Sequence, residues 1–271
     1  MKIAIVGGGL SALNAVFACN ANGIIPDVFI KDSPISLGAV YLRIIPDYLQ
    51  ERFRKQKIGT SFIGTREAYI LKQWGEVPDG YRSSFPEKNF EEYAYDPKPI
   101  LEFVFLDRRL MKRINIDEKM QNNDLEYLSK LYDFVFYTFP LKSTLEQISS
   151  AVRRIPTVLF EGTSIDLPNK IIYNGDSESF LVRKSIIFGN EVLELSSRME
   201  FTRRELETLF PNSKILFQMD LAPHVSEIKI SLERIADNVI PIGRYARVDR
   251  SSLAHDAGSI VHETINHVKS I

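Results

Sequence analysis

The sequence contains a single cysteine, Cys19, so no disulfide can close within the chain. That usage suits a reducing compartment. Long apolar runs are lacking, and no stretch approaches the ~20 residues that a membrane-spanning helix needs. The apolar N-terminus is broken by Gly7, Gly8 and Gly9, and reads as strand and turn rather than as a signal peptide. The expected location is the cytoplasm. An excess of one charge is lacking too. The formal net charge of the 271 residues is -1, so no global field draws the chain to nucleic acid or to an anionic membrane. A nucleic-acid substrate finds no support in net charge; it would require the basic pairs Arg108-Arg109, Lys112-Arg113, Arg153-Arg154 and Arg203-Arg204 to converge. There is no Gly-x-Ser-x-Gly elbow. The four histidines, His224, His255, His262 and His267, give no metal-ligand spacing, and no metal site is expected.

What is present begins at the N-terminus. Lys2 to Val6 is a short β-branched run, as expected of a strand buried on both faces. Leu10 to Ala21 reads as a helix stopped by Asn22-Gly23, and Asp27 to Lys31 as a second strand. This strand–turn–helix–strand order opens a parallel α/β sheet. Farther on, helices are expected over Asp47 to Lys57 and Thr65 to Trp74, with a long loop or small excursion from Glu76 to Pro99. Asp133 to Tyr137 reads as a strand ended by Pro140, and a helix is expected near Leu141 to Arg153. Lys170 to Asn174, Ser179 to Phe188 and Glu191 to Leu195 read as an antiparallel meander with turns at Asn174-Gly175-Asp176 and Gly189-Asn190. Thr202 and Glu205 have capping-box spacing at the head of a helix running to Phe210. Lys214 to Gln218 is a strand, Ser226 to Ala236 a helix and Val239 to Ile242 a strand. A helix from about Ser251 to Lys269 closes the chain.

Gly7-Gly8-Gly9-Leu10-Ser11-Ala12 fits G-x-G-x-x-A between the first strand and helix. In such a fingerprint Gly7 permits the tight turn, Gly9 lets the backbone approach a pyrophosphate, and Ala12 lets the helix pack on the strand. Leu10 and Ser11 lie at the helix N-terminus, whose free N–H groups and positive dipole end attract phosphate. Asp32 follows the second strand, where a carboxylate takes the ribose hydroxyls. The spacing from Asp32 through five residues to Gly38-Ala39 points to FAD rather than NAD, with Ala39 where many FAD enzymes carry a second glycine. A second Gly-x-Gly-x-x-Gly unit for NAD(P)H is not found.

With these residues in place, the chain resembles the FAD-dependent amine oxidase and UDP-galactopyranose mutase group. Three more segments carry the resemblance: Tyr132 to Leu141 with its Pro140 turn; Ile171 to Arg183; and Asn238 to Ala246. A segment with Gly38, Tyr41, Leu42, Gly64, Tyr69, Lys72 and Gly75 also resembles small phage-encoded flavoproteins. The resemblance implies an α/β fold: a Rossmann-type FAD-binding parallel sheet, a small inserted substrate region and an antiparallel β meander. It implies an FAD-binding domain from 1–40, 114–165 and 235–271, and a substrate-covering region from 41–113 and 166–234. It places Pro140, Gly243, Arg244 and Tyr245 near the cofactor, and Tyr173 and Arg183 toward the substrate.

The activity implied is FAD-dependent oxidoreduction, with hydride removed from an amine or related carbon of a small or nucleotide-linked substrate. The alternatives are a redox-neutral mutase acting on a nucleotide-linked sugar, and a non-catalytic dinucleotide-binding protein. Since a flavin carries the hydride chemistry, no protein nucleophile is expected. Lys72, Tyr69, Tyr173 and Arg183 are the substrate-side candidates, the two cations suiting a phosphate or carboxylate. His224, after Pro223, stands as a general base, a substrate partner or a structural histidine. Cys19 reads as a small buried hydrophobe.

Overall fold

The computed structural model describes residues 1–31, 40–75, 89–116, 120–221, 235–249 and 254–270. In chain order, β1 (Ile3–Val6), α1 (Leu10–Ala21) and β2 (Asp27–Lys31) come first. A single turn α2 (Asp47–Gln50), β3 (Gln56–Gly64), α3 (Arg66–Trp74) and β4 (Phe90–Ala94) follow. Next are α4 (Pro97–Leu106), β5 (Lys112–Ile116), α5 (Asn122–Ser129), β6 (Phe134–Tyr137) and α6 (Lys142–Gln147). Then come β7 (Val152–Phe160), β8 (Lys170–Gly175), β9 (Leu181–Ile187), β10 (Asn190–Leu195), α7 (Arg203–Leu209) and β11 (Lys214–Leu221). β12 (Val239–Pro241), α8 (Arg244–Arg247) and α9 (Ala254–Lys269) end the described chain.

These elements form two compact units. The first comprises Met1–Ile35, Pro97–Ala151 and His224–Ile271, the second Ser36–Asp96 and Val152–Pro223. Residues 97–113 and 152–165 therefore fall in units opposite to those drawn from sequence. Strand pairing decides it: β5 joins β2, while β7 joins β10 and β11.

The first unit is a parallel sheet of order β12-β6-β1-β2-β5. All four β1 residues are buried, as a strand covered on both faces requires. One core layer gathers Ala4, Val6, Leu125, Val135, Tyr137 and Leu141. α1 packs on α9, where Gly258 admits the Asn14 backbone; a Cβ there would lie 3.1 Å from the Asn14 oxygen.

The second unit is a mixed sheet of order β11-β7-β10-β9-β8-β3-β4, in which β3 and β8 run parallel. One face holds Ile58, Ala94, Leu159, Ile171, Ile187 and Val192. The other packs Val158, Leu195 and Ile215 against Leu206 of α7. The meander and the Thr202–Glu205 capping box are present, with Thr202 and Glu205 each accepting from the other's backbone N–H.

Several local expectations are corrected. The helix over Asp47 to Lys57 shrinks to one turn, because Gln56 and Lys57 begin β3. The loop to Pro99 contains β4, pinned to β3 from Gln56–Ala94 to Thr60–Phe90. The helix toward Arg153 stops at Gln147, and Val152 opens β7. The helix expected over Ser226 to Ala236 lies almost wholly outside the described residues. Among the described residues, no helix is long and apolar enough to cross a membrane.

Candidate functional site

In the first unit the chain passes from β1 outward to β2 and β5, then returns to the other side of β1 for β6 and β12. Strand order therefore reverses between β1 and β6. In open α/β sheets, the crevice beyond the strands' C-terminal ends at such a point is where ligands bind. Three turns meet there: Gly7–Gly9 after β1, Thr138–Pro140 after β6, and Ile242–Arg244 after β12.

Gly7 and Gly9 meet different demands. Gly7 has φ +132°, and its N–H donates to the Phe29 carbonyl at 2.9 Å. A Cβ on Gly7 would collide with Thr138 Oγ1. Thr138 is fixed by its own N–H and hydroxyl, which donate to the Val6 carbonyl at 3.1 and 3.3 Å. Gly7 is thus required by the protein itself. Gly9 has an unstrained φ of -90°, and among the described residues nothing lies within 4 Å of where its Cβ would be. Gly9 is the N-cap of α1 and has no side chain with which to cap it, and the first turn of the helix holds no acidic residue. Free N–H groups and the positive dipole end at such a helix start attract anions. Ala12 is fully buried, in keeping with close helix–strand packing.

Gly243 closes the third side. It is the N-cap of α8 with φ +79°, and a Cβ there would collide with Ser11 Oγ. Ile242 N–H donates to the Tyr137 carbonyl at 2.9 Å, which holds the turn beside the end of β6. Gly7, Gly9, Leu10, Ser11, Gly243, Arg244 and Tyr245 therefore lie around one end of the sheet. Pro140 is buried two residues after Thr138. Asp32, Gly38, Ala39 and His224 lie outside the described residues. Thr138 escaped the sequence reading; its only signal is a hydroxyl residue one step past a buried strand.

The substrate-side candidates fall in the second unit. Lys72 is buried, and its ammonium donates to the Asp176 and Leu181 carbonyls at 2.8 Å each. Burial lowers its pKa, while the nearby Asp176 partly offsets this. This ammonium braces α3 against the β8–β9 turn, which corrects its reading as an anion anchor. Arg183 forms an ion pair with Glu194, and its guanidinium lies 5.8 Å from the Tyr173 ring centroid. The Tyr69 and Tyr173 rings meet edge to face at 5.7 Å. Arg183, Tyr173 and Tyr69 thus come together, but the cationic charge of Arg183 is already matched.

The remaining groups take structural places. Burial pushes the Cys19 thiol up to about 12, so it is an inert core residue. Trp74 is buried. His255 pairs with its neighbour Asp256 at 3.4 Å, and His262 sits between Asn22 and Asn266. Arg108-Arg109 and Lys112-Arg113 belong to the first unit, Arg153-Arg154 and Arg203-Arg204 to the second. Among the described residues, no group of three or more His, Cys, Asp or Glu side chains is placed to hold a metal ion.

Comparison with known proteins gives the fold a wider setting. No protein-family profile matches the chain, and no curated protein matches it. Solved structures do. MibH, a lathipeptide tryptophan 5-halogenase, superposes on 98% of this chain and 66% of its own, with TM-score 0.52 and 13% identity. A flavoprotein/dehydrogenase from Cytophaga hutchinsonii covers 98% of this chain and 79% of its own, with TM-score 0.51 and 11% identity. The p-nitrophenol 4-monooxygenase PnpA from Pseudomonas putida covers 99% and 80%, with TM-score 0.51 and 12% identity. These are likenesses of fold. The chain has a Rossmann-type α/β fold of the kind seen in flavoproteins, with a parallel sheet and a mixed sheet. The likeness is to this broad group and does not single out the amine oxidases or the UDP-galactopyranose mutases.

Proposed function

We propose that the protein is an FAD-dependent oxidoreductase whose first unit holds the dinucleotide. The observation that carries this reading is the contrast at the first turn. Gly7 is demanded by Thr138, whereas among the described residues the space over Gly9 is open, and Gly9 brings no side chain to cap the helix it starts. A glycine that the protein itself does not require, at a strand-order reversal, fits a backbone approached by a pyrophosphate. The N–H groups at Gly9, Leu10 and Ser11 would hold the phosphates. Asp32 would take the adenosine ribose, and Gly38-Ala39, Pro140 and Gly243-Arg244-Tyr245 would line the rest of the cofactor. When bound, FAD supplies a two-electron acceptor.

The likeness to a flavoprotein/dehydrogenase and to a monooxygenase supports redox chemistry over the isomerase alternative. The substrate within this proposal is a small molecule, which loses hydride from an amine or related carbon, with the second unit as the substrate region and the cytoplasm as the setting. The test is the absorption spectrum of the purified protein, followed by identification of the released cofactor. Flavin bands with FAD released are expected. A colourless protein that fails to take up added FAD overturns the reading. Anaerobic reduction of the bound flavin by candidate substrates then separates an enzyme from an inert scaffold, which shows no reduction.

A further inference from the structure

The last turns of α9 are tied to the end of α1 through one histidine, and the bonds around it leave that ring a single role. α1 packs along α9, and Asn22 is the C-cap of α1. Asn22 Nδ2 donates to the Ala18 carbonyl at 2.9 Å, and Asn22 Oδ1 accepts from the Lys269 ammonium at 3.3 Å. Turning the amide over would set its oxygen against the Ala18 oxygen and its nitrogen against the ammonium. Two independent partners therefore fix it. The same Nδ2 lies 2.9 Å from His262 Nδ1. An amide nitrogen only donates, so Nδ1 has to be a bare acceptor, and the neutral ring carries its proton on Nε2. Nε2 lies 2.9 Å from the side-chain amide of Asn266, one turn on. Asn266 is exposed, and among the described residues its side chain bonds nothing else, so its amide turns the oxygen to that N–H.

Protonation of His262 takes the acceptor away. Nδ1–H would then face the Asn22 Nδ2 hydrogens, two donors with no acceptor between them. The charges around the ring do not compensate. α1 carries no acidic residue, and its one titratable side chain, Cys19, is buried. Residues 22–26, which leave α1, bring no titratable group. On α9, Lys269 stands two turns on along the same stripe and adds a like charge beside Asn22. Glu263 is the next residue after His262 and lies about 100° round the helix. The unfolded chain loses no such bond on protonation, so acid weakens the contact.

We propose that His262 is a pH-sensitive clasp between α9 and α1. Neutral, with the proton on Nε2, it accepts from Asn22 and holds the two helix ends together; protonated, it lets go. α1 starts at the Gly7–Gly9 turn, so the clasp braces the far end of the helix that opens the candidate dinucleotide site. It stands on packing within the first unit and does not depend on the cofactor reading. The experiment uses the full-length protein with ¹⁵N-labelled histidine, the His262 signals being those that His262→Gln lacks. At about pH 8, long-range ¹H–¹⁵N spectra are expected to show a bare Nδ1 and a protonated Nε2; the opposite tautomer overturns the proposal. Hydrogen exchange, corrected for intrinsic rates, then follows the last-turn amides of α9 from about pH 8 to about pH 5. Their protection should fall about fivefold in the unaltered protein, the worth of one hydrogen bond. In His262→Gln, whose amide oxygen still accepts from Asn22 but takes up no proton, it should hold within about twofold. Asn22→Asp makes the partner an acceptor, so acid should there strengthen the clasp. If that variant does not fold, the tautomer and His262→Gln decide, since His262 is exposed and its replacement leaves the core untouched. No fall in the unaltered protein, an equal fall in His262→Gln, or an unchanged direction in a folded Asn22→Asp overturns the proposal.

Discussion

The two sheets of this protein put their polar groups to use in opposite ways. In the parallel sheet both faces are covered, so every β1 side chain belongs to the core. What remains for binding is backbone at the strand ends: the Gly7–Gly9 turn, the end of β6 and the Gly243 turn. In the mixed sheet, side chains alternate between two faces, and one face brings Tyr173, Arg183 and Glu194 into a row. A parallel sheet leaves backbone groups at its ends, and a mixed sheet presents side chains on its faces. Glycine makes the same contrast. Gly64 and Gly175 lie where β3 and β8 run side by side, and a Cβ on either would collide with backbone, that of Thr65 in the case of Gly175. Among the described residues Gly9 meets nothing.

Substitutions at these glycines break the comparison most sharply. Gly175→Val should destabilise the second unit by about 3 kcal/mol or more, because the obstacle is main chain and cannot rotate away. Urea denaturation checks it; a midpoint equal to that of the unaltered protein would remove the close approach from the argument. In the first unit the paired test is Gly7→Val against Gly9→Val. The first forces a side chain onto φ +132° and into Thr138, so stability should fall. The second should cost the apoprotein only about 1 kcal/mol, as a poorer N-cap of α1. It should weaken FAD binding about 100-fold, near 2.7 kcal/mol, in a flavin fluorescence titration. Full cofactor occupancy in a folded Gly9→Val protein would sink the site.

The same contrast explains what the sequence made legible. The opening β1–α1–β2 was readable to the residue for α1 and β2, because local signals agree there: a β-branched run, a glycine fingerprint, an Ala- and Leu-rich helix and an Asn-Gly stop. The meander was readable from alternation and Gly-Asn turns. β7 was not, because Pro156 argues against an interior strand. The pairing explains why it is tolerated: β10 joins β7 from Thr157 onward, so at Pro156 only β11 is paired. β3 was hidden because Gln56, Lys57 and Gly59 carry little strand character; only Ile58 and Thr60 are buried there. The site divides likewise. Glycines that bind through backbone have a sequence pattern. That Glu194 matches Arg183, or that Lys72 spends its ammonium on two carbonyls, depends on pairing across strands and has none.

Lys72 sharpens the comparison from the second unit's side. Lys72→Met keeps the stem but strands the Asp176 and Leu181 carbonyls, so a loss of about 2–3 kcal/mol is expected. Its pH dependence has a definite sign. Burial makes the folded state hold the Lys72 proton less tightly than the unfolded chain does. Stability therefore rises as pH climbs from the lowered folded pKa toward the ordinary 10.5. Denaturation midpoints of the unaltered protein should gain on those of Lys72→Met across that window. Parallel curves would mean that the lysine's burial carries no proton-linked cost.

The smallest effect expected is at the head of α7, where both partners of the capping box are exposed. Thr202→Ala removes the hydroxyl that accepts from Glu205 N–H, and about 1 kcal/mol should be lost. Glu205 accepts from the Thr202 backbone and hydroxyl, which holds its pKa below the ordinary 4.5. Its contribution is present above 4.5 and fades as pH falls through the lowered folded value. Glu205→Gln should therefore lose a little stability near neutrality and flatten the acid side of the stability curve. Because Glu205 is exposed and Leu206 is the residue of this helix that reaches the core, the loss should stay well below that of Lys72→Met; an equal loss in urea denaturation would show that the box does more than close the helix end.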